Sequence, residues 1–467
     1  MAMRPLARQC HEHPHGRSST PAQQPPARMP HRNAACPRAR RRRVSSGDAG
    51  RRETPASERS ARSSGRLLIV IDHGRAFEGR PLWAEIDLVA LEHNLQQIRS
   101  RLSPTTRVCA VVKANAYGHG AVPVSLALEA AGVGDFGVAT VDEGVQLRAA
   151  GLRGRVLLIG ALPPREARRA LENDLMVTID SPESALAVSQ VASARGVRAL
   201  THLKIDTGMH RFGVNPAEAV ALARFAMDLP GVQLEGLSSH FASADEADKS
   251  FVHRQMEIFD AIARQLPEVP LRHIGNSACV IDTPEYAHTM VRIGVALYGL
   301  FPSGEVRHDL DLRPVLSLRA QLTRCRSVAA GETVSYGRTW QAPQDGVIGL
   351  VPLGYADGYR RGLSNRAHML IDGIRVPVAG RVTMDQTILD LSAIGPREAG
   401  TTVTVYGRDG EAEVTVDEIA ALESTINYEI TCAISSRVPR LAVRGERLER
   451  VHTLVGDYAP EPQRSPR

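Results

Sequence analysis

The segment Val108-Cys-Ala-Val-Val-Lys-Ala-Asn-Ala-Tyr-Gly-His-Gly120 starts as a short apolar run and ends rich in glycine. Val108–Val112 is the first of eight apolar runs that start about 20 to 40 residues apart, with amphipathic stretches such as Pro182–Ala194 between most of them. The other seven are Phe136–Ala139, Val156–Ile159, Leu175–Ile179, His202–Ile205, Leu234–Leu237, Leu271–Ile274 and Met290–Ala296. Eight strands alternating with helices predict a closed parallel (β/α)8 barrel of the TIM type over residues 81–313. An open doubly wound sheet is the alternative.

The pattern changes after about Pro314. Leu316, Leu318, Ala320 and Leu322 alternate with polar residues, which is the period-two pattern of a half-buried strand. Further β-like runs follow at Gly346–Val351, Met369–Val378 and Thr401–Tyr406, and one helix is predicted near Val416–Glu423. We therefore expect an α/β barrel followed by a mainly β domain over residues 314–455, with residues 456–467 as a tail.

The charge of the chain is divided unevenly along its length. Residues 1–80 contain 17 arginines, no lysine and six acidic residues, a net charge of +11, whereas the remainder carries −5. Such a segment buries too little apolar surface to offset the entropy of ordering, so residues 1–80 are predicted to be a disordered basic extension. Three interpretations stay open: an extension without a role, which we favour, a targeting segment, or a charge-driven contact.

Composition excludes several classes of protein. Aromatic residues make up only 4% of the chain, which argues against a nucleic-acid binder that stacks bases. No apolar run reaches about 18 residues, so no membrane-spanning helix is expected. Six cysteines without paired spacing indicate neither a disulfide framework nor a zinc site, and a metal site near His11, His13 and His15 is disfavoured. We expect a cytoplasmic protein without metal, nucleic-acid or membrane partners.

One glycine pattern requires rejection. Gly132-Val-Gly-Asp-Phe-Gly137 matches the spacing of a dinucleotide-binding fingerprint. That fingerprint must follow a strand and open a helix, whereas this segment is predicted to end a helix and open a strand. It therefore does not indicate a dinucleotide site.

Lys113 is the first candidate for chemistry. It ends an apolar strand, at the carboxyl end of the predicted barrel, where barrel enzymes place their active sites. Burial lowers the pKa of a lysine and makes it a possible Schiff-base nucleophile. A lysine that extends its amine to solvent at the barrel rim is an equally open interpretation at this point.

The segment Val111–Gly120 resembles the pyridoxal-phosphate lysine motif of the alanine racemases. The resemblance extends from about Pro81 to Arg450 and includes Gly354-Tyr-Ala-Asp-Gly-Tyr359, which is also specific. Further family-like segments are Trp83–Asp87, Lys204–Gly208, Ser239–Ala242, Asn276–Ala278, Arg292–Gly294, Val334–Gly337, Gly380–Asp385 and Ile426–Glu429. The fold that this family implies, a barrel joined to a β domain, agrees with the pattern of strands.

The resemblance implies a mechanism with two bases. Lys113 would form the aldimine with pyridoxal 5'-phosphate, and Tyr336 would serve the opposite face of the substrate carbanion. An ordinary tyrosine is a poor base near neutral pH, so it needs cationic neighbours. The family supplies His240 and Arg292 as a linked network, although a strand-end histidine or a rim salt bridge is the simpler interpretation of each alone. Arg292 would face the pyridine nitrogen, which must then accept a hydrogen bond.

The resemblance also implies contacts for the phosphate and the substrate. The residues that match the cofactor-binding positions are Lys113, Tyr117, His240, Asn276, Ser277, Arg292, Gly294, Val295 and Tyr428. Arg211 matches an arginine that contacts the substrate carboxylate, and Tyr355 and Met384 match residues at the substrate entrance. Lys204 matches a lysine that can carry a carbamate, with an ordinary ion pair to Asp206 or a nearby acid equally open.

Two residues depart from the family pattern, and Leu441, where a tyrosine is often seen, carries little weight. His210 stands where a glycine is usual, which puts the local turn in doubt.

The expected function is interconversion of L-alanine and D-alanine, which supplies D-alanine for peptidoglycan. The resemblance implies a homodimer whose active sites are shared between chains. A broad-specificity amino-acid racemase of the same fold is the alternative, since only Tyr428 near the substrate methyl favours alanine. A different barrel-type pyridoxal-phosphate enzyme lacks the context of Tyr336. A non-enzymatic carrier of the cofactor would usually be a barrel alone, and only the basic extension supports a nucleic-acid module.

Overall fold

The computed structural model describes residues 79–458. Residues 1–78, which include the His11, His13 and His15 cluster, and residues 459–467 lie outside this range, and so do the predictions made for them. Among the described residues, none of the helices is long and apolar enough to cross a membrane.

The first part of the chain alternates between strands and helices. Its strands are β1 (Leu82–Asp87), β2 (Arg107–Val111), β3 (Asp135–Val138), β4 (Arg155–Leu158), β5 (Leu175–Ile179), β6 (Ala199–Lys204), β7 (Val232–Ser238), β8 (Leu271–His273) and β9 (Met290–Ile293). Its helices are α1 (Leu88–Arg99), α2 (Lys113–Tyr117), α3 (Ala121–Ala130), α4 (Val141–Ala149), α5 (Ala167–Glu172), α6 (Pro182–Arg195), α7 (Pro216–Asp228), α8 (Ser250–Ala263) and α9 (Ser277–Asp282). Single 3₁₀ turns cover Pro164–Glu166, Pro284–Tyr286 and Val295–Tyr298.

Strands β2 to β9 form the barrel. They are parallel and lie in the order β8-β7-β6-β5-β4-β3-β2-β9, so each of the eight predicted runs overlaps one strand. Along the described chain, the ladder is interrupted only between β8 and β9, where the amide of Arg292 donates to the carbonyl of Gly275 at 3.0 Å. The prediction of a parallel barrel is confirmed. The glycine pattern at residues 132–137 follows α3 and runs into β3, so it ends a helix and opens a strand, as predicted.

Side-chain caps mark the start of several barrel helices. Thr140 accepts a hydrogen bond from the amide of Glu143 and forms a capping box at α4, and Ser181 caps α6 in the same way. Asn215 accepts from the amide of Ala217 at the start of α7. Such caps satisfy amides that the first helical turn leaves unpaired, so they set the points at which these helices begin.

The second part of the chain is mainly β. Its strands are β10 (Leu316–Gln321), β11 (Arg324–Val328), β12 (Thr333–Val334), β13 (Trp340–Gln341), β14 (Gly346–Val351), β15 (His368–Ile371), β16 (Ile374–Pro377), β17 (Thr387–Asp390), β18 (Thr402–Asp409), β19 (Ala412–Val414), β20 (Arg440–Arg444), β21 (Arg447–Thr453) and β22 (Gly456–Tyr458). Its helices are α10 (Val416–Glu423) and α11 (Asn427–Cys432), with 3₁₀ turns at Tyr336–Arg338, Tyr355–Asp357 and Arg361–Leu363.

Two details differ from the sequence-based expectation. Strand β1 lies in the range 81–313 that was assigned to the barrel, yet it pairs antiparallel with β10 and parallel with β20, inside the sheet of the second domain. Its partners lie more than 200 residues away, and no local pattern reports such a pairing. The run Met369–Val378 is not one strand but the hairpin β15–β16, which turns at Asp372 and Gly373 with φ of 54° and 74°.

Candidate active site

A cavity of about 430 Å³ opens at the carboxyl ends of the barrel strands. The predicted site residues that line it are Lys113, Tyr117, Lys204, Arg211, His240, Asn276, Ser277, Arg292, Gly294, Val295 and Tyr428. The structure therefore brings together every predicted site residue of the barrel, with Tyr428 of α11 added from the second domain. Within residues 79–458, no group of His, Cys, Asp or Glu side chains could hold a metal ion.

Lys113 begins a turn with left-handed backbone. Ala114, Asn115, Ala116 and Tyr117 all have φ between 52° and 55°, a conformation that costs about 1–2 kcal/mol per residue for residues other than glycine. Contacts hold the turn in place: the amide of Ala114 donates to Glu143 Oε1 at 2.7 Å, and Asn115 Oδ1 accepts from the amide of Ala121 at 2.8 Å. The strain fixes the direction in which Lys113 leaves the strand.

The amine of Lys113 is tuned towards its neutral form. Burial lowers its pKa, and the positive charge of Arg211 lowers it further, while Glu143 opposes the shift. The chain contains only three lysines, Lys113, Lys204 and Lys249, and two of them line this cavity. Lys249 instead pairs with Asp282 at 2.7 Å.

Arg292 is buried, and both of its Nη groups are hydrogen-bonded. Its Nη1 donates to the carbonyl and to Nδ1 of His273, both at 2.7 Å. Its Nη2 donates to the carbonyl of Ser239 at 2.6 Å, to the carbonyl of Ile274 at 3.2 Å and to Nδ1 of His240 at 3.0 Å. Because arginine only donates, Nδ1 of His240 is an acceptor, and the proton of that neutral ring is on Nε2. Burial and the charge of Arg292 hold the pKa of His240 well below its ordinary value.

Lys204, at the end of β6, is buried without a polar partner. Its Nζ makes no hydrogen bond or ion pair to any residue in the range 79–458; its nearest aromatic contact is the ring of Phe212, with the centroid 5.6 Å away. Burial holds its pKa well below the ordinary value, and the charges of Arg292 and Arg211 act in the same direction. The alternative of a close ion pair with Asp206 is therefore not what the structure contains.

The turn before Arg211 forms although the usual glycine is missing. His210 has φ of 54°, in the region that favours glycine, which explains why a glycine is usual at this position. Asp206 Oδ1 accepts from the amides of Gly208 and His210, each at 3.0 Å, and Oδ2 lies 3.2 Å from Nδ1 of His210. The doubt about this turn is resolved, because the Asp206 carboxylate holds the loop.

One end of the cavity is lined by hydroxyl groups and backbone amides. Ser277 Oγ accepts from the amides of Gly294 at 3.2 Å and Ala296 at 3.4 Å. A Cβ on Gly294 would lie 2.4 Å from the hydroxyl oxygen of Tyr117, so only glycine leaves room for that hydroxyl. Asn276 Oδ1 accepts from the amide of Cys279 and caps α9. This end of the cavity presents donors suited to an anion.

Three of the four predicted site residues of the second domain, Tyr336, Tyr355 and Met384, do not line this cavity. Tyr336 is 72% exposed, Met384 52% and Tyr355 43%. They share one surface, because Tyr336, Thr383 and Gln386 line a common groove and the amide of Tyr355 donates to the carbonyl of Thr383 at 3.0 Å. Tyr336 is presented on a turn in which Ser335 has φ of 63° and its hydroxyl donates to the carbonyl of Arg381 at 2.6 Å.

Sequence reasoning missed several residues of the site. Glu143 ties the lysine turn to α4, and His273 lies directly behind Arg292. Cys432 lines the cavity near Lys113 and slightly raises the pKa of that lysine. His273 ends β8, so its place at the carboxyl end of a predicted strand was the available signal; Glu143 and Cys432 gave none.

The fold and the cavity define a class: a parallel barrel whose mouth holds a half-buried lysine of lowered pKa, an end lined by hydroxyls and amides, and a buried arginine. The families described as alanine racemase, N-terminal domain, and alanine racemase, C-terminal domain, match residues 86–302 and 315–442. The chain belongs to the alanine racemase family.

Individual relatives agree with that membership. The chain is 43% identical to the alanine racemase of Desulfovibrio desulfuricans over 368 residues, 78% of this chain and 98% of that one. It is 40% identical to that of Halothermothrix orenii over 77% of this chain and 96% of that one. The alanine racemase structure from Clostridium difficile 630 superposes with a TM-score of 0.78 at 35% identity, covering 81% and 99% of the two chains. The Bacillus anthracis structure, which has bound L-Ala-P, gives 0.76 at 35% identity over 81% and 98%.

The lowered pKa of Lys113 predicts the pH dependence of its acetylation. In protein free of added ligands, acetylation of Lys113 should reach half its maximal rate at a pH below about 10.4, the ordinary lysine value, because the amine loses its proton earlier. Arg211→Gln should move that midpoint upward, since the repelling charge is gone, whereas the control Arg165→Gln, at an exposed arginine outside the cavity lining, should not. Mass spectrometry of the acetylated lysines measures the midpoint for each of the three. A midpoint for Lys113 at the ordinary lysine value that does not change in Arg211→Gln would contradict the lowered pKa.

Proposed function

We propose that this protein interconverts L-alanine and D-alanine with pyridoxal 5'-phosphate held on Lys113. We further propose that Lys113 of one chain and Tyr336 of a second chain act as the two bases. The observation that carries the proposal is the composition of the cavity, which gathers a lysine of lowered pKa, hydroxyls and amides suited to an anion, and a buried arginine with one donor left. The family membership supports the same activity.

The anion end of the cavity fits the phosphate of this cofactor. The hydroxyls of Tyr117, Ser277 and Tyr428 and the amides of Gly294 and Val295 are the proposed contacts, with Asn276 beside them. Neutral donors suit the site because phosphate brings its own negative charge, and a loop with little side-chain bulk lets the backbone approach. The space that a Cβ on Gly294 would fill supports this assignment.

The opposite end fits the pyridine ring. The two Nη atoms of Arg292 are engaged with carbonyls and with imidazoles, so its Nε–H is the donor left to meet the ring nitrogen. That nitrogen then accepts and carries no proton of its own. When bound, the cofactor withdraws electrons from the substrate Cα as its proton leaves, and an unprotonated ring does so less strongly.

Two groups must move protons on opposite faces of the substrate. Lys113 suits one face because burial and Arg211 favour its neutral amine, which can accept a proton. Tyr336 of the partner subunit is proposed for the other face. His240 supports it, because Nδ1 of that ring accepts from Arg292 and its Nε2–H is therefore free to donate to a phenolate oxygen.

The exposure of the tyrosine supports the proposal of a second chain. Tyr336, Tyr355 and Met384 form an exposed surface outside the lysine cavity of their own chain. An exposed group of large side chains, with Tyr336 72% exposed on a strained turn, is typical of a surface that contacts a partner. A two-fold dimer in which each barrel mouth faces the partner's β domain would complete two identical sites.

Arg211, Tyr355 and Met384 are proposed to recognise the substrate. The guanidinium of Arg211 lines the cavity and suits a carboxylate, while Tyr355 and Met384 from the partner would narrow the entrance. Tyr428 would limit the size of the side chain, which favours alanine over a broad range of amino acids. A panel of alanine, serine and valine distinguishes this from the broad-specificity alternative, which predicts comparable kcat/KM for all three.

We also propose a cellular setting. D-alanine is required for peptidoglycan, and a cytoplasmic location is consistent with the cysteines. Cys109, Cys279, Cys325 and Cys432 are all free in the described part of the chain, as expected in a reducing compartment.

Lys204 is proposed to carry a carbamate. Its amine is neutral at lower pH than an ordinary lysine. Lys204 and Arg211 both line the cavity, and Nζ of Lys204 and Cζ of Arg211 each lie 5.6 Å from the ring centroid of Phe212. A neutral amine adds carbon dioxide at its nitrogen and releases one proton, which leaves an anion on Nζ. That anion would convert an unpaired buried amine into an ion-pair partner that orients Arg211 towards the substrate.

Isotopic labelling tests the carbamate. After equilibration with ¹³C-labelled carbon dioxide, the carbon spectrum of the protein should contain one carbamate signal. Lys204→Ala should abolish it, and the control Lys249→Ala, which removes a lysine already paired with Asp282, should preserve it. A spectrum without the signal, or one in which it survives Lys204→Ala, would refute the modification.

Mixing two inactive variants tests the shared site. Lys113→Ala and Tyr336→Phe should each lower alanine racemisation by several orders of magnitude, because each homodimer lacks one base at both sites. In a mixture, every heterodimer has one site with both bases and one with neither. Activity should therefore rise to about a quarter of wild type for random pairing, since half the dimers carry one good site of two.

A reversed mixture provides the control. The double variant Lys113→Ala/Tyr336→Phe, added in excess to wild type during refolding, should titrate activity away, because both sites of each heterodimer then lack one base. If both bases came from one chain, the wild-type chain would stay active in that heterodimer and the first mixture would remain inactive. Those two results together would overturn the shared site, and an inactive wild type would overturn the proposed function itself.

A further inference from the structure

A chain of buried side chains continues behind Arg292 into the barrel. Arg292 Nη1 lies 2.7 Å from Nδ1 of His273, and Nε2 of His273 lies 2.7 Å from Nδ1 of His202. Nε2 of His202 in turn faces Glu235 Oε2 at 3.8 Å. Both imidazoles are at most 1% exposed. The chain runs from the cavity to the interior and connects β9, β8, β6 and β7.

The chemistry of arginine fixes the direction of every link. Arginine has no acceptor, so Nδ1 of His273 must accept and its proton must be on Nε2. Nε2 of His273 then donates to Nδ1 of His202, and the proton of His202 must be on Nε2. Burial lowers the pKa of both rings, which keeps them neutral and leaves each with one proton. The last N–H therefore points at Glu235.

Glu235 is charged and held at the far end. The imidazole of His202 and the guanidinium of Arg155 lower the pKa of Glu235 to about 2, although burial opposes the shift. Arg155 forms an ion pair with Glu235 and donates from Nε to Asp135 Oδ1 at 2.8 Å. The carboxylate is an acceptor without a proton, which is the one partner compatible with the tautomer of His202.

The gap of 3.8 Å is the weakest link of the chain. His202 Nε2 and Glu235 Oε2 are both buried and neither has a hydrogen-bond partner among the described residues. The gap is too short for a bridging water and longer than a hydrogen bond, so a small shift of either side chain would close it. Two orphaned, complementary atoms that face each other indicate a pair rather than an accident of packing.

The barrel wall is adapted to the imidazole of His202. A Cβ on Gly236 would lie 2.3 Å from Nδ1 of His202, so a larger residue there would displace the ring. The pairing of β6 with β7 also shifts register between Thr201 and His202. Glycine and the register shift together make room for a polar ring where an apolar side chain would pack more simply.

We propose that Glu235 and His202 are positioning residues for Arg292. The carboxylate of Glu235 selects the Nε2–H tautomer of His202, which selects the same tautomer of His273, and this leaves Nδ1 of His273 to accept from Arg292. Arg292 favours the same direction from the other end of the chain, so without the carboxylate only the contact between Arg292 and His273 opposes a joint exchange of both tautomers. In the exchanged state an N–H of His273 would oppose an N–H of Arg292. The effect on catalysis rests on the proposed function; the effect on the rings does not.

The consequence lies at the Nε–H of Arg292. With both Nη atoms held by His273, His240 and the carbonyls, the guanidinium plane is fixed, and Nε–H is the donor that Arg292 has left at the cavity it lines. Loss of the His273 acceptor would free one side of that plane. A donor displaced by a fraction of an ångström from the pyridine nitrogen would slow proton removal but not weaken substrate binding, because Arg292 does not face the substrate carboxylate.

Nitrogen spectra of the holoenzyme test the tautomers directly. In wild type labelled with ¹⁵N at the histidine rings, His202 and His273 should each show a protonated Nε2 and an unprotonated Nδ1, with coupling across their hydrogen bond. The two rings are assigned by His202→Gln and His273→Gln. A protonated Nδ1 on His273, or a cationic ring at either position in wild type, would overturn the proposal without any variant of Glu235.

Two matched variants separate positioning from structural support. Glu235→Gln removes the charge and should mix the tautomers of both rings, while Glu235→Asp, which keeps a carboxylate, should restore them. Arg155→Gln cuts the same ion pair from the other side and should leave the tautomers unchanged, even where it lowers the melting temperature more. If the tautomers of the two rings do not change in Glu235→Gln, or change equally in Arg155→Gln, Glu235 is not a positioning residue.

Kinetics supply the second readout. Glu235→Gln should lower kcat for alanine by about tenfold and change KM less than about twofold, because the defect is one of alignment at the ring. Arg155→Gln should retain most of kcat. An equal loss of kcat in the two variants would assign Glu235 to stability alone. An inactive wild type with the expected tautomers would count against the proposed function and not against the positioning role of Glu235 and His202.

Discussion

The desolvation of Lys113 beside positive charge is the constraint on which the rest of the site depends. Burial and the guanidinium of Arg211 together favour the neutral amine. That preference is useful only if the amine points into the cavity, and the left-handed turn from Ala114 to Tyr117 secures this direction. The same turn brings Tyr117 next to Gly294, so the lysine and the anion end of the cavity are placed by one piece of backbone.

Much of the barrel could be predicted from local patterns. Each of the eight apolar runs overlaps a strand, and the helix at Val416–Glu423 has the predicted bounds, because period and capping are local properties. Strand β1 could not be placed, since its partners in β10 and β20 are distant in sequence. The turn at Lys113 also escaped prediction: a sequence with two alanines in four residues does not indicate left-handed backbone, which contacts with Glu143 and Ala121 impose.

The residues of the site also fall into those that local sequence patterns predict and those that they do not. Lys113, Arg292 and the residues at the proposed anion end of the cavity lie close together because the carboxyl ends of parallel strands meet at one rim. The prediction of a parallel barrel is sufficient to expect this. His202 and Glu235 could not be identified from the pattern, because their role depends on which ring nitrogen faces which neighbour. The exposure of Tyr336 likewise follows from the tertiary structure, and it is this exposure that turns a single cavity into half of a proposed shared site.

The central claim is that the barrel cavity binds pyridoxal 5'-phosphate on Lys113, and the scarcity of lysine makes it open to direct measurement. The protein is incubated with the cofactor, reduced with borohydride and digested with a protease that cleaves only after lysine. The account predicts one added cofactor mass, loss of cleavage after Lys113, and normal cleavage after Lys204 and Lys249. A cofactor mass on Lys204 or Lys249, or no added mass at all, would contradict it.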